Sequence, residues 1–257
     1  MEILRRKKGF ICDMDGVIYH GNNILPGAKE FVEWLQSEKK EFLFLTNSSE
    51  RSPKELSDKL ARMGLVVGEN HFYTSALATA SFIALQSPGS TAYVIGEAGL
   101  INALYDKGLS MNDVNPEYVI VGETRSYSFE KIEKAVMLLQ KGAKLIGTNP
   151  DLTGPTEKGI MPATGALTAP IEMGSGRKAY FVGKPNPLMM RHALRKLGTA
   201  VSDTVIIGDR MDTDIVAGIE SEFDTVLVLT GVTSRESVND FSYRPKYILE
   251  NVGKIVE

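Results

Sequence analysis

Two acidic residues, Asp13 and Asp15, follow an apolar run near the start of the chain and precede Gly16. The run predicts a strand over residues 10–13, and the glycine predicts a turn directly after it. Both carboxylates would then lie at the carboxyl end of a strand, the edge at which open parallel sheets bind ligands. Carboxylates placed there suit an aspartyl nucleophile, a site for a hard cation, or both. An Asp-Gly turn without chemistry is the alternative interpretation of this motif alone.

Three further apolar runs end in residues that can bind phosphate or metal ions. These residues are, in chain order, Thr46 and Asn47 after residues 42–45, Lys184 after residues 180–183, and Asp209, Asp212 and Asp214 after residues 205–208. Each ending alone could be a turn or a helix cap. Four such endings in one predicted parallel sheet indicate a shared site at its carboxyl edge.

The carboxylates of this site would repel one another. Two ionised carboxylates a few ångströms apart repel by about 4 kcal/mol at an effective dielectric constant near 20. If Asp13, Asp15, Asp209 and Asp214 meet, their cluster requires a bound cation, a nearby lysine or protonation of one member. Oxygen ligands alone select a hard ion such as Mg²⁺, which commonly takes one or two carboxylates, waters and a substrate phosphate. Lys184 would supply a permanent positive charge.

The composition of the chain is that of a globular protein without a nucleic-acid-binding face. Of its 257 residues 43% are hydrophobic and 24% charged, and the formal net charge of -3 offers no basic excess. A single cysteine, Cys12, excludes an internal disulfide and fits a reducing compartment. We find no membrane-length apolar stretch and no secretory leader pattern. We therefore expect a cytoplasmic protein without nucleic-acid or membrane partners, with a homo-oligomer as an open alternative.

Strand patterns alternate with helix patterns along the whole chain. The flanking parts predict strands at residues 10–13, 42–45, 179–182, 204–207 and 225–229, and helices at residues 28–37, 53–63, 188–197 and 213–221. This alternation is typical of an α/β fold with a parallel sheet. The middle of the chain predicts strands at residues 92–95, 118–121 and 144–147 and helices at residues 98–107, 129–141 and 166–173. We expect a discontinuous core of residues 1–77 and 180–257, interrupted by an α/β domain at residues 78–179.

The four motifs resemble, in order and residue type, those of the haloacid dehalogenase (HAD) superfamily of phosphotransferases. They read Asp13-Met14-Asp15-Gly16-Val17, Leu45-Thr46-Asn47, Val182-Gly183-Lys184-Pro185 and Gly208-Asp209-Arg210-Met211-Asp212-Thr213-Asp214-Ile215. The match is closer still to the NagD-like and p-nitrophenylphosphatase-like subfamily, which Val121-Gly122-Glu123-Thr124-Arg125 and Thr148-Asn149-Pro150-Asp151 also resemble. The resemblance covers essentially the whole chain. It implies a Rossmann-like core with a large α/β cap, of class II type A, inserted between the second and third motifs.

The resemblance also implies a phosphatase that works through an aspartyl-phosphate. Asp13 would attack phosphorus, and Asp15 would protonate the leaving oxygen and then deprotonate the hydrolytic water. Thr46 and Asn47 would bind the phosphoryl group, while Lys184 would hold Asp13 and the phosphate together. An acid at position 15 favours phosphate-ester hydrolysis, because members that dehalogenate lack an acid there.

The resemblance further implies a Mg²⁺ site. Asp13, Asp209 and the backbone carbonyl of Asp15 would contact the ion, and Asp214 would act through the residues around it. Asp212 has no role in the motif and is interpreted as supporting structure.

Substrate choice is expected to lie in the inserted domain, where the loop with Asn149 and Asp151 would contact a small phosphorylated metabolite. Sugar phosphates and nucleoside monophosphates are the expected substrates, with pyridoxal phosphate or phosphoglycolate as alternatives. The roles of Glu123 and Arg125 stay open; they could pair with each other or with the core. A phosphomutase is an alternative among enzymes, whereas the presence of Asp13, Asp15, Lys184 and Asp209 argues against a silent metabolite-binding regulator. The alternative of a different class is a phospho-aspartate signalling receiver, but receivers are usually about half this length and lack such an insertion.

Overall fold

The computed structural model describes residues 1–156 and 159–257. They form two compact units, unit 1 with Met1–Thr46, Leu56–Tyr73 and Lys184–Glu257, and unit 2 with Asn47–Glu55 and Thr74–Gly183. The predicted division at residues 78 and 179 stays a prediction about domains, because compactness alone does not show independent folding. Residues 47–55 pack with unit 2, although the sequence pattern assigned them to the core.

The strands are short, as is usual in parallel sheets of this size. In chain order they are β1 (Gly9–Cys12), β2 (Tyr19–His20), β3 (Asn23–Ile24), β4 (Glu41–Thr46), β5 (Phe72–Thr74), β6 (Thr91–Ile95), β7 (Ser110–Met111), β8 (Tyr118–Val121), β9 (Lys144–Gly147), β10 (Thr153–Thr156), β11 (Gly159–Pro162), β12 (Tyr180–Phe181), β13 (Thr204–Gly208), β14 (Asp224–Val228) and β15 (Tyr247–Leu249).

The α-helices are α1 (Glu2–Arg5), α2 (Ala28–Ser37), α3 (Pro53–Arg62), α4 (Ser75–Gln86), α5 (Ala98–Asp106), α6 (Phe129–Gln140), α7 (Thr164–Ser175), α8 (Pro187–Leu197) and α9 (Val216–Glu220). Short 3₁₀ turns lie at Glu69–His71, Val201–Asp203, Ser237–Asp240 and Val252–Ile255, and a π-helical turn lies at Met211–Ile215. None of these helices combines the length and the apolar character that a membrane crossing requires.

Unit 1 is built on a six-stranded sheet of order β15-β14-β13-β1-β4-β5. Strand β1 pairs in parallel with both β13 and β4, and β14 pairs in parallel with β13 and β15. All residues of β1 and β13 are buried, as expected for central strands covered on both faces. The parallel α/β class predicted from the alternation is therefore confirmed.

Helix α2 shows how the apolar pattern determines the packing of unit 1. Its buried side chains include Ala28, Phe31 and Leu35, spaced three and four residues apart on one face. Phe31 and Trp34 both pack against Phe10 of β1, with ring centroids 6.0 and 5.5 Å away in edge-on geometry. The helix thereby covers the strand whose end bears Asp13.

Unit 2 contains a five-stranded sheet of order β12-β9-β8-β6-β7 with parallel pairs. Its core includes Val119 and Val121 of β8, Leu138 and Leu139 of α6, and Ile171 of α7. Strands β10 and β11 form a separate antiparallel pair.

The strand that precedes Lys184 belongs to unit 2, so its expected place in the core sheet is wrong. Tyr180 pairs with Ile146 and Phe181 with Gly147, which makes β12 an edge strand beside β9. An apolar run indicates that a segment is extended, but it carries no information about which of two sheets the segment joins.

Helix α4 and the β10–β11 pair were not predicted. The α4 sequence is rich in small residues, and its buried set includes Ser75, Ala76, Ala78, Thr79, Ala80 and Ile83. Such a helix lacks the polar face on which periodicity rules depend. The helix predicted at residues 213–221 begins instead as the π-helical turn Met211–Ile215 and continues as α9.

Candidate active site

The register of three neighbouring strands brings their polar ends to one edge of unit 1. Cys12 of β1 lies opposite Ile207 of β13 and Phe44 of β4. Asp13 therefore follows one residue beyond the paired positions, and Asp209 and Thr46 follow two residues beyond them. Thr46 is the half-buried last residue of β4. The predicted shared edge is present for these three motifs.

Lys184 lies between two carboxylates of this edge. Its Nζ atom is 2.5 Å from Asp13 Oδ1 and 2.7 Å from Asp214 Oδ1, and it also donates to the carbonyl of Leu45 at 3.4 Å. The side chains of Lys184 and Asp214 are only 3% and 1% exposed. Asp13, Asp209 and Asp214 each offer a carboxylate oxygen within 4.8 Å of the others. The lysine is thus shared by a tight acidic group.

Burial and crowding dominate the titration of this group. Burial raises the pKa of Asp13 well above its usual value, while Lys184 acts in the opposite direction. Burial, and then the neighbouring Asp214, raise the pKa of Asp209. Burial alone would lower the pKa of Lys184, but Asp13 and Asp214 together raise it above its ordinary value. Counted alone and with all groups ionised, Lys184 and these three carboxylates carry a net charge of -2.

One buried carboxylate oxygen of Asp209 has no described hydrogen-bond partner. Its Oδ2 atom accepts a hydrogen bond from the Val232 amide at 2.7 Å, whereas its buried Oδ1 atom has no hydrogen-bond partner among the described residues. A Cβ at Gly16 or Gly231 would lie 2.5 or 2.0 Å from Oδ2, so only glycine allows the backbone to approach so closely. Buried polar atoms are normally satisfied, and an oxygen donor set of this charge fits a hard divalent cation.

Asp15 stands apart from the three clustered carboxylates. It is half-buried, and His20 Nδ1 lies 3.4 Å from its Oδ1 atom. Burial, opposed by His20 and Lys59, raises the pKa of Asp15. The turn after Asp15 is closed by a hydrogen bond from the Gly16 amide to the Tyr19 carbonyl at 2.9 Å. The roles predicted for Asp15, including a metal contact through its carbonyl, stay predictions.

Asp212 is not part of the cluster of Asp13, Asp209 and Asp214. Its carboxylate, 55% exposed, forms two hydrogen bonds with the Arg210 guanidinium, at 3.0 and 2.7 Å. The supporting role given to Asp212 stays a prediction.

The remaining predicted substrate residues lie together within unit 2. Asn149 is fully buried, and its amide donates to the Asn47 carbonyl at 2.7 Å and to Thr164 Oγ1 at 3.2 Å. Asn47 Nδ2 donates to Asp151 Oδ2 at 2.9 Å, and the Asp151 amide donates to Asn149 Oδ1 at 3.1 Å. These three side chains hold one another, and their contact with substrate stays a prediction.

Sequence reasoning left Glu123 and Arg125 open, and they do not pair with each other in the described contacts. Glu123 Oε2 accepts hydrogen bonds from Ser48 Oγ at 2.8 Å and from the Ser49 amide at 3.1 Å. The exposed Arg125 contacts the Met161 sulfur at 3.8 Å. Glu123 could have been found by the rule used for Asp13, since Gly122 and Glu123 follow the end of the predicted strand at residues 118–121.

Comparison with known proteins supports the motif assignment. Residues 10–110 match the haloacid dehalogenase-like hydrolase family and residues 181–255 match a HAD-hydrolase-like family. The chain is 44% identical to the ribonucleotide monophosphatase NagD of Escherichia coli over 96% of this chain and 98% of that protein. It is 43% identical to the dihydroxyacetone phosphatase of Corynebacterium glutamicum over 96% of this chain and 90% of that protein.

Solved structures agree with these relatives. The 4-nitrophenylphosphatase of Thermotoga maritima is 32% identical and superposes with a TM-score of 0.94, covering 98% of this chain and 97% of that one. NagD of E. coli superposes with a TM-score of 0.91 over 96% of this chain and 98% of its own. The chain therefore belongs to the haloacid dehalogenase-like hydrolases, among the phosphatases of the NagD-like and p-nitrophenylphosphatase-like subfamily.

Proposed function

We propose that this protein hydrolyses small phosphate monoesters in two steps, with Asp13 as nucleophile and Mg²⁺ as cofactor. The observation that carries the proposal is the buried ammonium of Lys184, 2.5 Å from Asp13 and 2.7 Å from Asp214, beside the unpartnered Oδ1 atom of Asp209. A carboxylate nucleophile, a fixed cation and a vacant anionic oxygen are the groups that phosphoryl transfer requires.

In the first step an Asp13 carboxylate oxygen attacks phosphorus as the bond to the leaving oxygen breaks. Asp15 gives its proton to that oxygen, which leaves as the free alcohol. In the second step Asp15 takes a proton from water, and the water oxygen attacks the phosphorus of the aspartyl-phosphate. The bond between phosphorus and Asp13 breaks, which releases inorganic phosphate and restores both carboxyl groups.

The surroundings of each carboxyl group suit its proposed task. Burial raises the pKa of Asp15, which is the direction that favours a proton donor. Lys184 holds Asp13 by its Oδ1 atom and would also neutralise charge on the transferring phosphoryl group. Thr46 ends the neighbouring strand β4 and Asn47 directly follows it, and both would donate hydrogen bonds to phosphate oxygens.

The metal would be held by Asp13, Asp209 and the carbonyl of Asp15. When bound, Mg²⁺ supplies positive charge to the oxygens of the transferring phosphoryl group. Asp214, which is tied to Lys184 and accepts from the Arg210 amide at 3.2 Å, would fix the lysine beside the metal ligands. The vacant Asp209 oxygen and the excess negative charge both favour this assignment.

The substrate is proposed to be a small metabolite such as a sugar phosphate or a nucleoside monophosphate. The relatives of this chain carry different names, among them dihydroxyacetone phosphatase, ribonucleotide monophosphatase and acid sugar phosphatase. Pyridoxal phosphate and phosphoglycolate remain alternatives within the family. Asn149 and Asp151 are proposed to contribute to the choice. The expectations of a cytoplasmic location and an open oligomeric state stay predictions.

Hydrolysis of p-nitrophenyl phosphate by the purified protein with Mg²⁺ tests the proposal. Asp13→Asn should abolish turnover while the circular dichroism spectrum stays unchanged, and excess chelator should stop the unaltered protein. Asp212→Asn is the matched control, because it removes an exposed carboxylate of the same acidic loop. Near-normal turnover in Asp13→Asn, or turnover that persists in chelator, would remove the nucleophile or the metal from the mechanism.

A further inference from the structure

The chain just after Thr46 is held by side chains from several parts of unit 2. We call residues 47–51 the linking segment. The Asn47 carbonyl accepts from Asn149 Nδ2 at 2.7 Å and from Ser75 Oγ, and Thr148 Oγ1 lies 3.3 Å from Ser49 Oγ. Further along, the Glu50 carbonyl accepts from the Gly99 amide at 3.1 Å. Almost every position of the linking segment is therefore bonded.

Three glycines make room for this segment. A Cβ at Gly122 would lie 2.7 Å from Ser49 Oγ, and one at Gly183 would lie 2.7 Å from Asn47 Oδ1. A Cβ at Gly99 would lie 2.6 Å from the backbone of Glu50 and Arg51. Separations below 3.0 Å would force neighbouring atoms to move, so a side chain at any of these positions would displace the linking segment. We call the space left by these three glycines the slot.

Glu123 is the charged group of this slot. Its Oε2 atom accepts from Ser48 Oγ at 2.8 Å and from the Ser49 amide at 3.1 Å, and its own amide donates to Ser49 Oγ at 3.1 Å. Hydrogen bonds to an ionised acceptor contribute more than neutral ones. Residues 48 and 49 are thus bonded through both the side chain and the backbone of a single residue.

Among the described residues, the charged groups that act on Glu123 are acidic. Burial raises the pKa of Glu123 to about 7, hydrogen bonds from Ser48 and Ser49 oppose this rise, and the acidic residues Glu50 and Asp151 add to it. Keeping a half-buried carboxyl group ionised beside two other acidic residues costs free energy. Its two hydrogen bonds to the linking segment are the described contacts that offset this cost.

We propose that Glu123 is a positioning residue for phosphate binding, because its carboxylate fixes Ser48 and Ser49 in the chain that directly follows Thr46. The inference rests on the proposed function, in which Thr46 and Asn47 bind the phosphoryl group. It adds a carboxylate that acts through Ser48 and Ser49 rather than on the reacting atoms. A residue of this kind changes how well phosphate binds more than it changes the chemical step.

Steady-state kinetics with p-nitrophenyl phosphate, and inhibition by inorganic phosphate, test this role in the full-length protein with Mg²⁺. Glu123→Ala should raise both KM and the phosphate Ki about tenfold, roughly the effect of losing one hydrogen bond to a charged group. The kcat value should change less than about threefold. Glu123→Gln keeps an acceptor oxygen in place, so its KM and Ki should lie close to those of the unaltered protein. If the alanine variant does not fold, the comparison of Glu123→Gln with the unaltered protein replaces it.

A double-mutant cycle with Ser48→Ala shows whether Glu123 acts through the linking segment. Ser48→Ala alone should raise KM, and should add little in the Glu123→Ala background, because the same contact is already absent. Glu172→Gln is the matched control, since Glu172 is a carboxylate of α7 that accepts from the Ala179 amide at 2.7 Å, away from the linking segment. It should leave KM and Ki unchanged.

The outcomes separate the two proposals. If the unaltered protein turns over substrate and Glu123→Ala has the same KM and Ki, the positioning role is overturned but the proposed function is not. A fall in kcat without a change in Ki, or full additivity with Ser48→Ala, would also overturn it. Absence of Mg²⁺-dependent turnover in the unaltered protein would overturn the proposed function and, with it, this inference.

Discussion

Replacing Lys184 with methionine should strongly destabilise unit 1 in the absence of metal. Methionine fills a similar length of side chain but removes the only described cation that bridges Asp13 and Asp214. The two carboxylates would stay buried and repel each other and Asp209. Removing one partner of a buried ion pair leaves an uncompensated charge, which is the costly way to break such a pair.

The expected loss is about 3–5 kcal/mol in the free energy of unfolding. A simple sum of the contacts at 2.5 and 2.7 Å would give more, but a carboxylate left without its cation can take up a proton, which limits the penalty. For a chain of 150–250 residues, this loss corresponds to a fall of about 6–20 °C in Tm. An exposed pair would give less than about 1 kcal/mol.

Trp34 provides a suitable assay because it is the single tryptophan and packs against Phe10 and Phe31 in unit 1. Its fluorescence reports the unfolding of the unit that holds the cluster, in urea at neutral pH with chelator present. Adding Asp13→Asn to Lys184→Met should recover part of the loss, since one repelling charge is removed. A free energy of unfolding of Lys184→Met within about 0.5 kcal/mol of that of the unaltered protein would refute the reasoning.

Gly231→Ala would place a Cβ 2.0 Å from Asp209 Oδ2, so we expect the Mg²⁺ concentration for half-maximal activity to rise at least tenfold; an unchanged Mg²⁺ titration would contradict the fit of Asp209 to the ion. Glu123→Gln should be more stable than the unaltered protein above pH 7, by at most about 3 kcal/mol. The pKa of Glu123 is raised from 4.5 to about 7 by burial, so the unfolded chain loses this proton first and stability falls as the pH rises between those values. The glutamine variant removes that loss, and a difference in urea midpoint that is independent of pH would show that Glu123 does not titrate in this range.

The core strands and the site at their ends were predictable because the signals are local. Buried central strands give continuous apolar runs, and Asp13 and Asp209 directly follow such runs in β1 and β13. Parallel pairing then places the ends at one edge, with Cys12 opposite Ile207. Helix α2 was predicted at its observed bounds, because its apolar spacing is clear.

The elements that were missed depend on information that short patterns do not contain. Strand β12 has two residues, and its choice of β9 as a partner is a long-range property. Helix α4 buries small side chains around most of its surface and has no clear amphipathic pattern. The contact between Asp214 and Lys184 also depends on the local backbone, because the π-helical turn Met211–Ile215 carries Asp214 and no short pattern predicts such a turn.

The linking segment also has a consequence for how this fold can be divided or recombined. A chain expressed from residues 74–183 alone would keep the contacts of Asn149 and Thr148 with Thr164, but would lose their bonds to the Asn47 carbonyl and the Ser49 hydroxyl. Each lost hydrogen bond costs about 0.5–1.5 kcal/mol. Grafting this insertion onto a related scaffold should therefore succeed only when both stretches of sequence are exchanged together.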